Sequence, residues 1–320
     1  MTAAPPPPVL VLVGPTASGK TAVSLPLADM LGGEIVSADS RQVYRGLDIG
    51  TAKPDAAARA RVPHHFIDIR DPDEVYTAGT FGNEARLCVA EILRRGRAPV
   101  VVGGSGLYLR SLVDGLFEGP GADPEIRDRL ERRMEEVGAA GLLEELRAVD
   151  PDTAAAIDPT KPRRIVRALE VWHATGMPLS MLQRERKPEI PFVPVFAGLA
   201  WDRAELNRRI DERCDTMVAA GLLDEVRGLR EQGYSPGMNA LNTVGYVEAF
   251  AHLEGKITAG EMLERIKTNT RRYAKRQGTW FRADGRIRWL AMDRGRVPDA
   301  VAAEVAEFFL RSGGKKARSG

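Results

Sequence analysis

Gly14-Pro15-Thr16-Ala17-Ser18-Gly19-Lys20-Thr21 follows an apolar run at residues 9–13 and fits the pattern G-x-x-x-x-G-K-[ST]. Glycines at these points let backbone N–H groups curl around phosphate oxygens. The helix that follows adds its positive end, and Lys20 adds a point charge. Thr21 can offer its hydroxyl to Mg²⁺. The ligand class is therefore a polyphosphate; what is done with it must come from other residues.

Asp39 ends the apolar run at 34–38, where a carboxylate can bind Mg²⁺, take a proton from a nucleophile, or simply cap a helix. The run at 99–102 ends in Gly103-Gly104-Ser105. Many phosphate-loop ATPases carry Asp at that place, so its absence argues against a motor or ATPase. Glycines at a strand tip admit a ligand or a backbone closely, and Ser105 offers a hydroxyl to the site or to a helix start. Arg209 and Arg213, four residues apart on one helix, suit either a pyrophosphate or a solvated face, and the pattern alone favours the face. His64-His65 suggest a metal, but neighbouring residues in a strand point opposite ways, which favours a structural role. Lys267, Arg271, Lys275 and Arg282 share one helical stripe, flanked by Arg272 and Arg276, with Tyr273 and Trp280 nearby. Such a mixture suits phosphate contacts and base stacking. Residues 264–296 hold eleven Lys/Arg against three Asp/Glu, a local excess that suggests a polyanion-facing surface.

These residues need a scaffold. Strands are expected at 9–13, 34–38, 66–69, 99–102, 192–200 and 287–291. Helical patterns cover 20–31, 79–95, 123–147, 161–184, 202–219, 222–232, 240–253, 258–281 and 298–310. Continuous apolar strands alternating with helices predict an α/β fold: a phosphate-loop parallel sheet with helices on both faces. No strand-like run interrupts residues 120–194, so a helical insertion domain is expected there, with the core formed by 1–119 and 195–320. In such sheets ligands sit at the carboxyl ends of the strands.

The 320 residues are 43% hydrophobic and 28% charged, as expected of a soluble globular chain, and no apolar run is long enough to span a membrane. Residues 1–8 are Pro-rich and lack the order of a secretion signal; they are expected to be an unstructured lead-in, and 313–320 a frayed basic tail. Cys88 and Cys214 stand far apart with no metal-type spacing, which points to a reducing cytoplasm.

Taken in order, several segments resemble the bacterial tRNA dimethylallyltransferase family. They are the loop at 14–21, Asp39-Ser40-Arg41-Gln42, Asp-Ile-Gly-Thr-Ala-Lys-Pro at 48–54 and Gly-Gly-Ser-Gly-Leu-Tyr at 103–108. Arg163-Arg164-Ile165-Val166-Arg167, Val244-Gly245-Tyr246 and Lys275-Arg276-Gln277 complete the set. The resemblance implies transfer of a dimethylallyl group from dimethylallyl diphosphate to N6 of adenosine 37, in tRNAs reading codons that begin with U. It implies that residues 14–21 hold the prenyl diphosphate with Mg²⁺ and that Asp39 accepts the N6 proton; Arg209 or Arg213 would add positive charge at the diphosphate. Lys20 and Ser105 join Asp39 in catalysis, although the family carries Thr where Ser105 stands. It further implies tRNA contacts at Asp39-Ser40-Arg41-Gln42, Ser105, Arg127, Arg163 to Arg167, Thr243-Val244-Gly245-Tyr246, Lys275-Arg276-Gln277 and Arg282. Gly278 replaces a larger residue usual in the family. The expected partners are the tRNA anticodon stem-loop and dimethylallyl diphosphate, with no membrane, for a cytoplasmic monomer. The rival readings are a small-molecule or nucleotide kinase on the same sheet, an adenylate prenyltransferase of the cytokinin type, and a non-catalytic tRNA-binding module. The long basic C-terminal segment argues against the second, and the intact phosphate loop against the third.

Overall fold

The structure, a computed structural model, describes residues 5–116, 123–185 and 189–316. Residues 1–4 and 317–320 of the expected lead-in and tail, and the expected boundary at 119/120, lie outside the described residues. In chain order the elements are β1 Pro8–Val13, α1 Lys20–Leu31, β2 Gly33–Ala38, α2 Ala56–Arg61, β3 His64–His65, α3 Ala78–Arg94, β4 Ala98–Gly103 and α4 Gly106–Asp114. Next come α5 Pro124–Val149, α6 Pro151–Ala156, α7 Pro162–Thr175 and α8 Leu179–Glu185. Then follow β5 Val193–Trp201, α9 Arg203–Ala219, α10 Leu222–Glu231, α11 Tyr246–Leu253, α12 Ala259–Arg282, β6 Arg288–Met292 and α13 Pro298–Arg311.

The strands form one parallel sheet in the order β3-β2-β4-β1-β5-β6. Alternate side chains of each strand face opposite layers. Val9, Val11, Val13, Val36 and Val101 enter one core with α3, α4 and α9 to α12. Leu10, Leu12, Ile35, Val100 and Val102 enter the other, closed by α1 and α13. Both faces are covered, which is why the strands read as unbroken apolar runs.

Three expected elements differ from the structure; one is the helix at 161–184, which is two, Pro162–Thr175 and Leu179–Glu185, parted at Gly176 (φ 69°). The third strand is His64–His65, not 66–69, because Phe66 and Asp68 adopt left-handed backbone (φ 64° and 56°). That turn puts Phe66 edge-on against Phe81 at 5.2 Å, and Asp68 against Lys53 and Arg59. The helix expected at 240–253 starts only at Tyr246, since Gly245 takes φ 98° and the residues before it form turns. Two short helices at Ala56–Arg61 and Pro151–Ala156 escaped the periodicity reading; each is started by an Asp side chain that accepts a backbone N–H.

The chain divides into two compact units, Met1–Val113 with Ile190–Gly320, and Asp114–Glu189. The second is narrower than the expected 120–194 at its far end, because Phe192 is buried in the first unit's core and β5 begins at Val193. Within the second unit, α5 is broken at Gly138 (φ 68°, ψ 177°), and Leu130, Leu142, Leu146, Ile165 and Leu169 form its core. The buried Asp150 caps α6 through Thr153 N–H and also accepts Ser180 N–H at 3.0 Å, tying down α8. Among the described residues, no helix is long and apolar enough to cross a membrane.

Candidate active site

Register decides what meets at the sheet edge. Val13 of β1 and Ala38 of β2 both pair with Gly103 of β4. Gly14, Asp39 and Gly104, the next residues, therefore leave three adjacent strands at one level. With about 4.8 Å between strands, the phosphate loop and Asp39 stand about 10 Å apart across the Gly104 tip.

The loop is braced from three sides. Ala17 and Gly19 take left-handed backbone (φ 62° and 93°), which turns the chain into α1. Lys20 Nζ donates to the carbonyls of Gly14 and Pro15, both at 2.8 Å. Trp201 Nε1 donates to Ser18 O at 2.9 Å, Arg209 Nε donates to Ala17 O at 2.9 Å, and the Arg209 guanidinium lies 4.2 Å from the Trp201 ring centre. Gln277 Oε1 accepts from Thr16 N–H at 2.8 Å.

A cavity of about 800 Å³ opens over this edge. Thr16 to Ala22, Asp39 to Gln42, Gly50 to Ala52 and Gly104 line it, with Arg209 and Arg213 of α9. Asn242 to Gly245, Tyr273, Arg276 and Gln277 also reach it. Arg209 and Arg213 are thus part of the wall, correcting the solvated-face reading. Met217, Leu222, Val244 and Ile266 make its apolar part. Arg209, Arg213 and Met217 recur every fourth residue on α9, about 6 Å of rise per step, so one helix face runs from cationic to apolar along the cavity. Burial, with the Arg213 charge in support, pushes Lys20 down to about 8, while Asp39 pulls the other way. Burial lowers Arg213 as well, again opposed by Asp39.

Asp39 Oδ1 accepts Arg41 N–H at 2.9 Å, so the carboxylate caps its own turn and still faces the cavity. Ser40 N–H donates to Ser105 Oγ at 3.0 Å, and the Tyr273 side chain lines the same cavity. Burial and Asp39 push that phenol up to about 12. Arg41 reaches the carbonyls of Asn239 and Ala240, and Gln42 Nε2 donates to Thr51 O and Ala52 O at 3.2 and 3.3 Å.

Several residues expected to touch RNA have other partners. Tyr246 is fully buried, its hydroxyl 2.6 Å from Glu225, whose carboxylate also accepts the N–H groups of Asp48, Ile49 and Gly50. It supports the loop at 48–52 from beneath. Gln277 is 8% exposed and spends its amide on Thr16 and Gly104. Ile165 is buried and Val166 packs beside it, because helical spacing turns them into the second unit's core. Arg127 and Arg167 ion-pair with buried Glu170, while Arg163 and Arg164 at the start of α7 are exposed. On α12, Lys267 and Arg271 pair with Asp215 and Asp211 of α9, so only part of the predicted basic stripe is available to a polyanion. Lys275, Arg276 and Arg282 are exposed, with no acidic group within 4.0 Å among the described residues. His65 pairs with Glu34 and His64 bonds Val62 O. Sequence reasoning did not single out Trp201 or Glu225, since each acts through backbone atoms distant in the chain; it also missed Glu248, which accepts the N–H of Gly245 three residues before it at 2.8 Å, a local capping signal that could have found it.

Such an edge can hold a polyphosphate at one strand and presents a carboxylate two strands away, an arrangement suited to a phosphate-loop α/β protein that moves a group between two substrates. Residues 42–284 match the IPP transferase family, and the chain belongs to that family. It is 49% identical over 304 residues to tRNA dimethylallyltransferase 1 of Trichlorobacter lovleyi, covering 95% of this chain and 99% of the relative. It is 49% identical over 295 residues to tRNA dimethylallyltransferase of Salinibacter ruber, covering 92% and 91%. The crystal structure of the full-length tRNA isopentenylpyrophosphate transferase from Bacillus halodurans is 38% identical with a TM-score of 0.69, covering 95% of this chain and 97% of that one. A eukaryotic dimethylallyltransferase, solved in snapshots of its action on tRNA, is 28% identical with a TM-score of 0.81, covering 98% and 81%.

Proposed function

We propose that the protein transfers a dimethylallyl group from dimethylallyl diphosphate to N6 of adenosine 37 in tRNA. The enzyme class, a prenyltransferase acting on tRNA, is that of its relatives. The cavity carries the finer reading: cationic at the phosphate loop, acidic at Asp39 and apolar at Met217, Leu222 and Ile266. A prenyl diphosphate has that polarity. A nucleoside triphosphate has no hydrocarbon end to place against the apolar wall.

In the reaction the C1–O bond of the allylic diphosphate breaks and its electron pair leaves with the diphosphate. The N6 lone pair forms the new bond to C1, and the N6 proton passes to Asp39. N6 is a weak nucleophile because its lone pair is delocalised into the ring, so stabilising the leaving group matters most. Lys20, Arg213 and the loop N–H groups supply fixed positive charge there. Asp39, held by Arg41 N–H, is the general base. The adenine must leave its stack to reach the cavity, at a cost of a few kcal/mol that contacts to the exposed cations Lys275, Arg276 and Arg282 would offset.

The donor set suits a Mg²⁺ that arrives on the diphosphate. Thr21 and Asp39 line the same cavity, and the described residues contain no cluster of three carboxylate, His or Cys groups to hold an ion alone. When bound, Mg²⁺ would neutralise part of the leaving group's charge. As an enzyme of tRNA the chain would act in the cytoplasm, as a monomer.

The test is to incubate the protein, Mg²⁺ and dimethylallyl diphosphate with unmodified tRNA carrying A36-A37, then identify the nucleosides by mass. Prenylated adenosine at position 37 is expected. Unchanged tRNA, or phosphoryl transfer from ATP competing at the same loop, overturns the reading.

A further inference from the structure

Gln277 sits within α12 with its side chain turned inward. Thr16 N–H can only donate and the Gly104 carbonyl can only accept, so the two 2.8 Å bonds fix which end of the amide faces which loop. A Cβ at Gly104 would lie 2.5 Å from Gln277 Nε2, so any other residue there would push the amide from this place. The next residue, Ser105, accepts the N–H of Ser40, next to Asp39, on its Oγ at 3.0 Å. Gln277 of α12 therefore ties the β4 tip to the phosphate loop, and the residue after Gly104 holds the turn that carries Asp39.

We propose that Gln277 is a positioning residue for the transfer, setting the phosphate loop relative to Asp39, and that it makes no RNA contact of its own. This rests on the functional reading above. The leaving group is cradled by the loop that Gln277 holds at Thr16. The proton acceptor stands on the turn that Ser105 holds, beside Gly104. The amide joins the two halves of the reaction through Thr16 and the Gly104 tip. Loss of that alignment harms the bond-making step rather than the binding of either substrate.

The test uses the full-length Gln277→Ala and the nearly isosteric Gln277→Glu. The carboxylate can still accept from Thr16 but cannot donate to Gly104. Expected for both is a fall in kcat of about 100-fold. Kd values for the tRNA anticodon stem-loop and for inorganic diphosphate with Mg²⁺ should stay within about threefold of wild type, as expected when uniform binding is untouched. Full kcat in Gln277→Glu, with an unchanged melting temperature, overturns the proposal. So does a tRNA Kd raised tenfold with kcat at saturation intact, which would make Gln277 an RNA contact. A wild-type chain that binds both ligands yet transfers no prenyl group instead overturns the functional reading, and the positioning role with it.

Discussion

Lys20 and Arg213 place two positive charges in one cavity, and Asp39 is the carboxylate that the electrostatics of both record. The site is short of negative charge until an anion arrives. Because the Lys20 pKa falls from 10.5 to about 8, the folded protein gives up this proton before the unfolded chain does. The buried ammonium thus costs stability below pH 8, and that cost is relieved as pH rises towards 10.5. Ligand binding shows the opposite trend. Diphosphate affinity is expected to fall above pH 8, and binding there to take up a proton. Calorimetry in buffers of different ionisation enthalpy measures that uptake. Lys20→Arg, charged throughout, should lose it; equal uptake in both proteins would separate the effect from Lys20.

Asp39 does two jobs, capping its own turn and facing the cavity. Asp39→Asn keeps an acceptor for Arg41 N–H and removes the base. Single-turnover transfer should slow by about 10² to 10⁴, the usual weight of a general base, with tRNA affinity nearly unchanged. Near-normal turnover would remove Asp39 from that role.

How much of this could be read beforehand follows from where each interaction is encoded. The phosphate loop and its helix are local, and Lys20–Leu31 emerges as expected. The parallel sheet was legible too, since strands buried on both faces leave unbroken apolar runs. The proximity of Asp39 to Gly104 was not, because it depends on β4 lying between β1 and β2. Nor was the Gln277–Thr16 bond, which spans 261 residues of sequence. Phe66 in left-handed backbone contradicts local preference and is held by its packing on Phe81. The stripe of α12 was read correctly as basic, but the carboxylates of α9 that take two of its cations lie on a separate helix.

Tyr246 illustrates the same limit at a motif. Its hydroxyl shares Glu225 with three backbone N–H groups of the loop at 48–50. Tyr246→Phe should lower stability by about 1.5–3 kcal/mol, the weight of a hydrogen bond to a charged acceptor. tRNA Kd should stay unchanged, because the ring is fully buried. Urea unfolding and anisotropy with a labelled anticodon stem-loop measure the two. A weakened Kd at unchanged stability would return Tyr246 to the RNA surface.

The two halves of α12 should separate under the same RNA assay. Lys267 and Arg271 are committed to Asp215 and Asp211, so their charges are already balanced. Lys275 and Arg276 are exposed and have no such partners among the described residues. Each cation that neutralises an RNA phosphate releases condensed counterions and steepens the salt dependence of binding by about 0.7 to 0.9 in log–log slope. Lys275→Ala with Arg276→Ala should therefore weaken tRNA binding at low salt and reduce that slope by about 1.5. Lys267→Ala with Arg271→Ala should leave the slope unchanged and act on the α9–α12 contact, lowering the melting temperature. Titrations from 50 to about 300 mM salt would read both pairs. Equal slopes in the two double variants would mean that tRNA does not lie along the 275–276 end of the helix.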